Sequence, residues 1–309
     1  MLEVNQLDVF IGRKQIIKGA SFQVGDGKIV GLIGPNGAGK TTIMKTILAL
    51  TKFKGQVLVN HQTVTSNHHQ ALLKVGALIE HPALYPYMTG RQNLALYAQS
   101  EVEIDELAHA LEMETYIDTR AKGYSLGMKQ KLGIALALLN HPDLVILDEP
   151  MNGLDVEATI LVRNLILRMA QKGTAFLISS HILSELERVV SNVVLINKGK
   201  ILLTDSLKNF QRGNSRYYQI TTDNLFASYE LLESHGVVSE LQKDYLKINA
   251  PDLQAAEKLL VENEQYLLTV APEKLTFEQQ VVKSLRSRQE AWFFFDLRAH
   301  ETELHLVCR

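Results

Sequence analysis

The chain has 309 residues, of which 32 are lysine or arginine and 34 are aspartate or glutamate, so its formal net charge is −2. With 46% hydrophobic residues, this near-neutral composition is typical of a folded globular protein, and it excludes the strong basic excess of a nucleic-acid-binding chain. At roughly 100–200 residues per domain, the length predicts about two domains.

The sequence also argues against membrane-spanning and exported segments. Its most apolar stretch, residues 132–147, is interrupted by Asn-His-Pro-Asp at 140–143, whereas a spanning helix needs about 18 or more unbroken apolar residues. The opening residues MLEVNQLDVF are alternating and acidic, unlike a signal peptide. A single cysteine, Cys308, excludes a disulfide framework or a cysteine metal cluster. We therefore expect a cytoplasmic protein that does not itself cross the bilayer.

Short apolar runs alternate with helical patterns in the first two thirds of the chain. Strands are predicted at Ile29–Ile33, Val145–Leu147, Ala175–Ile178 and Val193–Ile196, and helices at Thr41–Leu50, Met128–Leu139, Glu157–Gln171 and Leu183–Val190. This alternation predicts an α/β fold with a parallel sheet covered on both faces. The period-two patterns of Leu2–Phe10 and Ala20–Val24 predict an antiparallel layer that leads into it.

Two regions differ from this pattern. Residues 80–140 contain a helix candidate at Ile104–Glu112 and no convincing strand, which predicts a helical subdomain. After Asp205, strands at Tyr217–Thr221, Tyr245–Ile248 and Tyr266–Val270 alternate with helices at Leu225–Ser234 and Leu253–Glu264. We therefore predict a first domain over residues 1–212 and a small α+β accessory domain over 213–309.

A glycine-rich stretch follows the strand Ile29–Ile33 and precedes a helix. It reads Gly34-Pro35-Asn36-Gly37-Ala38-Gly39-Lys40-Thr41 and then Thr42. It matches the P-loop pattern, in which glycines let backbone N–H groups point at phosphate oxygens and the helix N-terminus adds a positive dipole end. Lys40 is expected at the β- and γ-phosphates and the Thr41 hydroxyl at Mg²⁺. A chance glycine-rich turn is the alternative, but about one random chain in a hundred of this length would match. The sequence predicts a nucleotide site over residues 34–42.

Two adjacent carboxylates end the hydrophobic strand Leu144–Leu147, at Asp148 and Glu149. Because side chains alternate along a strand, these two carboxylates face different ways. The arrangement suits Asp148 in the Mg²⁺ shell and Glu149 as the base that polarises the attacking water. A solvated acidic turn is the alternative, and the P-loop earlier in the chain favours the functional interpretation.

With these motifs in place, Tyr124-Ser125-Leu126-Gly127-Met128-Lys129-Gln130 resembles the signature motif of ABC transporter ATP-binding subunits. The commonest form has Leu, Gly and Gln where this chain has Tyr124, Leu126 and Met128. The serine hydroxyl and a glycine remain at the start of an apolar helix. The resemblance implies that Ser125 and Gly127 clasp the γ-phosphate held by another subunit.

Two segments after Glu149 resemble the family as well. Asn152-Gly153-Leu154-Asp155 is similar to the D-loop, which crosses the dimer interface and implies a place for Asp155 at the nucleotide. His181, in Ile178-Ser179-Ser180-His181, resembles the switch histidine that touches the γ-phosphate, which implies a catalytic role. A lone histidine after a strand is more often a packed or surface residue, and its position directly before a helix favours the switch.

Two positions depart from the family pattern. The loop that senses nucleotide and contacts the membrane subunit usually carries Gln, whereas Ala77-Leu78-Ile79-Glu80 supplies Glu80. A carboxylate oxygen binds Mg²⁺ at least as well as an amide oxygen, so Glu80 is expected to bind the metal or its water. The adenine-stacking position usually carries Tyr, and here it holds Ile11 with Phe10 beside it. Stacking by Phe10 and no stacking at all both remain open.

With these departures, the chain is similar to the bacitracin-resistance and lantibiotic-immunity branch of the family. The similarity rests on Glu80, the segment Leu84-Tyr85-Pro86-Tyr87-Met88-Thr89 and the signature sequence. That branch also has a C-terminal accessory region, and Leu275–Val281 looks like a diverged version of its end. Trp292-Phe293-Phe294-Phe295 in the tail is either a core strand or an exposed docking patch.

The resemblance implies an ATPase that uses ATP and Mg²⁺. It pairs as a homodimer or with a related subunit, and it drives a separate transmembrane permease from the inner face of the membrane. Peptide antibiotics are the implied cargo, with ions or lipids as alternatives. A non-transport ABC ATPase, acting as a regulator or sensor or on nucleic acid or the ribosome, is the other hypothesis. No nucleic-acid partner is expected, and binding to a membrane subunit separates the hypotheses.

Overall fold

A computed structural model describes residues 1–65, 69–212, 217–273 and 276–285. The predictions for Gly213, Leu275, Trp292–Phe295 and Cys308 lie outside these residues. The chain divides into two compact units, Met1–Leu207 together with the residues from Ser284 onward, and Lys208–Lys283, and each is described by itself.

The first unit combines two sheets with helices. Its strands are β1 (Leu2–Ile11), β2 (Lys14–Val24), β3 (Ile29–Ile33), β4 (Phe53–Val59), β5 (Gln62–Thr63), β6 (Val75–Leu78), β7 (Leu144–Asp148), β8 (Ala175–Ser179), β9 (Asn192–Asn197) and β10 (Lys200–Ser206). Its helices are α1 (Lys40–Ile47), α2 (Gly90–Ala95), α3 (Glu101–Ala110), α4 (Leu126–Leu138), α5 (Val156–Gln171) and α6 (Leu183–Glu187).

The central sheet has the strand order β10-β9-β3-β8-β7-β6. Its neighbours from β9 to β6 are parallel, which confirms the predicted parallel sheet, and only β10 joins in the antiparallel sense. Every residue of β3, β7 and β8 is buried, as expected for strands covered on both faces. Because these three strands are parallel, their carboxyl ends lie at one edge of the sheet, where α/β folds place their ligands.

The predicted antiparallel layer is also confirmed. It has the order β2-β1-β4-β5, with Leu2 opposite Val24 across the β1–β2 pair. Its inward residues share one core with the buried face of α1, including Ile43 and Met44. This packing anchors the helix that follows the P-loop.

The stretch 80–140 is a helical subdomain, as predicted, and contains α2, α3 and α4. Short helices depend on their ends, and α2 begins with a capping box between Thr89 and Gln92. Arg91 links α2 to α3 and to the segment before α4, because its guanidinium lies 2.8 Å from Asp105 and 2.9 Å from Asp118. These two hydrogen bonds raise the pKa of Arg91. The subdomain is therefore linked internally by charge as well as by packing.

The second unit is a small α+β fold. After α7 (Leu207–Arg212) come β11 (Tyr217–Thr222), α8 (Leu225–Ser234), β12 (Ser239–Leu241), β13 (Leu246–Asn249), α9 (Leu253–Glu262) and β14 (Leu267–Pro272), and residues 277–283 are helical. The sheet order β12-β13-β11-β14 is antiparallel throughout, the arrangement of a ferredoxin-like fold. The predicted β-α-β-α-β order holds, except that the short strand β12 had no prediction. The core comprises Ile220, Leu232, Leu246, Ile248, Ala256 and Leu260.

Candidate active site

The P-loop joins the end of β3 to the start of α1. Gly37 and Gly39 have φ angles of 76° and 111°, in the left-handed region that glycine adopts without steric cost. A Cβ atom on Gly34 would lie 2.2 Å from the carbonyl oxygen of Ile196. The glycines therefore serve both the curvature of the loop and its close packing against β9.

Lys40 turns back over this loop. Its side chain is buried, and its ammonium donates hydrogen bonds to the carbonyl oxygens of Gly34, at 2.8 Å, and Pro35, at 3.5 Å. The positive charge thus lies inside the curl of backbone that the sequence predicts to surround phosphate. Nucleotide phosphates are anions that an ammonium can bind from this position.

Thr41 and Asp148 meet at the carboxyl end of β7. The Thr41 hydroxyl donates to Oδ2 of Asp148 at 2.7 Å, and the hydroxyl of Ser179 donates to the other carboxylate oxygen. Asp148 and Ser179 are partners in the parallel β7–β8 register. The structure therefore brings together the two residues predicted to bind magnesium.

This donor set fits a hard divalent cation. A hydroxyl and a carboxylate are oxygen ligands of the type that Mg²⁺ prefers, and Mg²⁺ is usually held by one or two carboxylates together with phosphates and water. Among the described residues, no group of three or more His, Cys, Asp or Glu side chains could hold a metal. The site therefore fits a metal that arrives with a nucleotide better than a metal enclosed by protein alone.

Glu149 directly follows β7, and its carboxylate has a different partner from that of Asp148. Its φ angle is 54°, and its backbone N–H donates to the carbonyl oxygen of Ser179 at 3.2 Å. Its Oε2 accepts a hydrogen bond from the backbone N–H of His181 at 3.0 Å and lies 2.6 Å from the Nδ1 atom of the ring. The structure therefore joins the predicted base to the predicted switch histidine.

Glu80, which the sequence predicts to bind the metal or its water, contacts Lys45. It follows β6 with a φ angle of 60°, and its Oε1 lies 2.7 Å from the Nζ of Lys45 in α1. Sequence reasoning missed Lys45. The available signal was its position four residues after Thr41, which places both side chains on one face of the helix.

A cavity of about 420 Å³ opens beside these groups. It is lined by Ile11, Ile16, residues 36–42, Asp148 and Glu149. Ile11 thus borders the cavity as the sequence placed it, whereas the ring of Phe10 is 46% exposed and lies 5.9 Å from the Nζ of Lys54. Ile16, which had no predicted role, supplies a second aliphatic wall.

A larger cavity, of about 840 Å³, lies between α3, α5 and the amino end of β7. Acidic Glu103 and Glu106 line one part of it, and basic Arg168 and Lys172 line another. None of the predicted site residues lines this cavity. Size alone therefore does not identify the functional site.

The signature and D-loop residues lie at two helix starts. Ser125 caps α4 by accepting a hydrogen bond from Met128 N at 3.3 Å, and Asp155 caps α5 by accepting one from Ala158 N at 2.8 Å. The two segments are neighbours, since a Cβ on Gly127 would lie 3.2 Å from the carbonyl oxygen of Gly153. None of Ser125, Gly127 and Asp155 lines the P-loop cavity of the same chain.

Tyr124, an unusual residue at the first signature position, anchors the motif to the helical subdomain. Its hydroxyl donates to the carbonyl oxygen of Tyr116 at 2.8 Å, and the two rings meet edge to face with centroids 5.1 Å apart. Burial raises the pKa of Tyr124. Gly90 leaves room for the phenol, because a Cβ there would lie 2.4 Å from its oxygen. The departure from Leu therefore has a packing explanation.

Comparison with known proteins agrees with this site. The family model described as ABC transporter matches residues 17–152. The uncharacterised ABC transporter ATP-binding protein YdbJ of Bacillus subtilis is 34% identical over 94% of this chain and 97% of its own length. The bacitracin transport ATP-binding protein BcrA of Bacillus licheniformis is 31% identical over 92% and 96%. The lantibiotic transport ATP-binding protein SrtF of Streptococcus pyogenes is 37% identical over 66% and 90%.

Solved structures agree on the fold. An ATP-binding subunit of an ABC transporter superposes with a TM-score of 0.64 at 30% identity, over 69% of this chain and 92% of that one. A bacterial ABC transporter cassette solved as a dimer gives a TM-score of 0.60 at 22% identity, over 67% and 99%. The fold and the site define a P-loop ATPase that hydrolyses ATP to ADP and phosphate.

The chain belongs to the ATP-binding subunits of ABC transporters, of the type that includes the bacitracin and lantibiotic transport proteins. Its hydrolysis of ATP is therefore coupled to transport. In the described part of the chain, no helix combines the length and the apolar character that crossing a bilayer requires.

Proposed function

We propose that two such ATPase subunits, either two copies of this chain or this chain and a related subunit, pair with ATP between them. The P-loop of one subunit would face Ser125 and Gly127 of the other. Two exposed apolar side chains support this arrangement, because Leu126 and Val156 directly follow the caps of α4 and α5 and are 61% and 76% exposed. Apolar side chains at such positions favour contact with another surface.

The phosphates would bind in the curl of residues 34–42. Backbone N–H groups of the loop and the start of α1 attract anions, and Lys40 would exchange its two loop carbonyls for phosphate oxygens. Thr41 and Asp148 would hold Mg²⁺, with Glu80 reaching the metal or its water. When bound, the metal neutralises charge on the β- and γ-phosphates. Ile11 and Ile16 would cover the adenine by apolar contact in place of an aromatic stack.

Glu149 is the proposed general base. Its carboxylate lines the cavity that contains the P-loop and is held by two contacts from His181. A carboxylate fixed at that point can orient a water and accept its proton as the water attacks the γ-phosphate. His181 would orient Glu149 and reach the γ-phosphate once the two subunits close.

The ATPase would act on a separate membrane permease at the inner face of the membrane. The helical subdomain suits the contact, because it starts at Glu80 and exposes Tyr85 and Tyr87, which are 53% and 73% accessible. Export of a peptide antibiotic is the proposed transport, supported by the likeness to BcrA and SrtF. A role of the second unit as an accessory domain, with the boundary near residue 213, belongs to the same proposal.

The test has two parts. Purified chain should hydrolyse ATP in Mg²⁺ and lose this activity in EDTA. Cells that depend on this chain should become more sensitive to bacitracin or a lantibiotic when it carries Lys40→Ala. Equal sensitivity of parent and variant cells to peptide antibiotics, with a difference under ion or lipid stress, would reassign the cargo. Absence of any co-purifying membrane protein would count against a permease partner.

A further inference from the structure

Lys45 lies outside the recognised motifs and contacts the nucleotide-sensing loop. Its ammonium is 2.7 Å from Oε1 of Glu80. The lysine and glutamate side chains are 33% and 57% exposed, so solvent reaches both partners of the pair. Glu80 also has a left-handed backbone conformation, with φ at 60°, which a non-glycine residue keeps only when its surroundings hold it.

Helix α1 and two neighbouring strands place this pair beside the proposed metal ligands. Thr41 and Lys45 are one helical turn apart and lie on the same face of α1. Strands β6 and β7 are parallel neighbours, so Asp148, the last residue of β7, and Glu80, two residues beyond β6, lie at adjacent strand ends. The same helix face therefore meets both carboxylates, Thr41 at Asp148 and Lys45 at Glu80.

The charges of Glu80, Asp148 and Lys45 determine how the Lys45–Glu80 pair responds to a divalent cation. A glutamate in place of the usual amide adds a negative charge close to Asp148, and Lys45 supplies the positive charge that balances it. A divalent cation that recruits Glu80 must compete with the ammonium for the same carboxylate. The fixed positive charge of Lys45 also repels the cation directly, and such interactions are strong when solvent is partly excluded.

We propose that Lys45 is a positioning residue that holds the Glu80 carboxylate before nucleotide binds and releases it to the metal ion when the metal–nucleotide complex enters. This inference rests on the proposed function of Glu80 as a metal ligand. Lys45 then limits how much the metal ion adds to nucleotide affinity, because the Lys45–Glu80 ion pair must be broken before Glu80 can bind the metal ion.

The experiment measures how much Mg²⁺ tightens binding of the non-hydrolysable analogue AMP-PNP to the full chain, as the ratio of Kd in EDTA to Kd in Mg²⁺. Lys45→Met removes the charge and keeps an unbranched side chain. It should raise this ratio about two- to fivefold, the range typical of partly exposed ion pairs. Lys45→Arg keeps the charge and should match the parent. Lys52→Met removes an exposed lysine after α1 and serves as the matched control.

Glu80→Ala, which removes the oxygen ligand altogether, separates failure of this inference from failure of the proposed function. If Glu80→Ala leaves the ratio unchanged or raises it, Glu80 is not a metal ligand and the inference falls with that assignment. If Glu80→Ala lowers the ratio while Lys45→Met leaves it unchanged or lowers it, the inference about Lys45 alone is overturned. Support requires that Lys45→Met loses most of its effect in the Glu80→Ala background, because the ammonium then has no carboxylate partner to hold. Melting curves of every variant confirm that it is folded.

Discussion

The phosphate-loop side and the signature side of this ATPase are built differently. On the first, the important side chains contact one another or the loop, as in the Thr41–Asp148 and Glu149–His181 pairs. On the second, Ser125 and Asp155 contact the backbone of the helices that they begin. The first side is therefore assembled within one chain, whereas the second offers helix starts with exposed neighbours. This difference supports the proposal that one surface carries out the chemistry and that a second subunit completes the site.

The largest effect is expected for Glu149→Gln, on the phosphate-loop side. Loss of the general base should lower ATP turnover by about 10²-fold or more, while ATP binding remains and a closed dimer accumulates. Turnover of the purified chain and sedimentation with ATP and Mg²⁺ measure both effects. Glu157→Gln, an exposed change in the first turn of α5, is the control. Undiminished turnover in Glu149→Gln would remove the base assignment.

Lys40→Ala tests the phosphate-loop side through binding. The variant leaves the phosphates without their buried cation, and charge-assisted hydrogen bonds are worth about 1.5–3 kcal/mol, or roughly 10- to 100-fold in Kd. Titration of a fluorescent ATP analogue measures the change. Lys40→Arg keeps the charge but not the shape of the ammonium and should recover only part of the affinity. Parent-like affinity in Lys40→Ala would show that the loop binds phosphate without it.

Ser125→Ala tests the signature side. If Ser125 acts on ATP held by another subunit, the variant should bind ATP normally as a monomer and lose roughly 10- to 100-fold in turnover, because the lost hydrogen bond to a charged phosphate is worth about 1.5–3 kcal/mol. The matched control is Ser100→Ala, because Ser100 caps α3 in the same way by accepting from Val102 N at 3.1 Å. Equal turnover in the two variants would reduce Ser125 to a helix cap.

The smallest expected effect separates two neighbouring tyrosines. Tyr124→Phe removes the hydrogen bond to the Tyr116 carbonyl and should cost about 1 kcal/mol of the free energy of unfolding. Tyr116→Phe should be neutral or stabilising, since the buried Tyr116 hydroxyl has no hydrogen-bond partner among the described residues. Urea unfolding of both variants measures the difference. A larger cost for Tyr116→Phe than for Tyr124→Phe would contradict the proposed anchor of the signature motif.

The two sheets show which parts of the fold were predictable. The strands of the central sheet are short apolar runs because both faces are buried, and β3, β7 and β8 were found within one residue of their ends. Strands β4, β5, β6, β10 and β12 were not predicted, and the helix predicted at Leu183–Val190 ends at Glu187. These five strands are short or partly exposed, so the local pattern is weak there. Partly exposed strands depend on their neighbours more than on their own composition.

The sequence by itself determined the P-loop, the Asp148-Glu149 pair and the family, because phosphate and metal chemistry need particular residues at short, fixed spacing. Only the tertiary structure decided that Lys45 holds Glu80, that Ile16 lines the nucleotide cavity and that Tyr124 rests on Tyr116 and Gly90. Apart from Tyr124 and Tyr116, these contacts join segments that are far apart in the chain. Sheet order and helix packing bring such segments together, and no local spacing records that geometry.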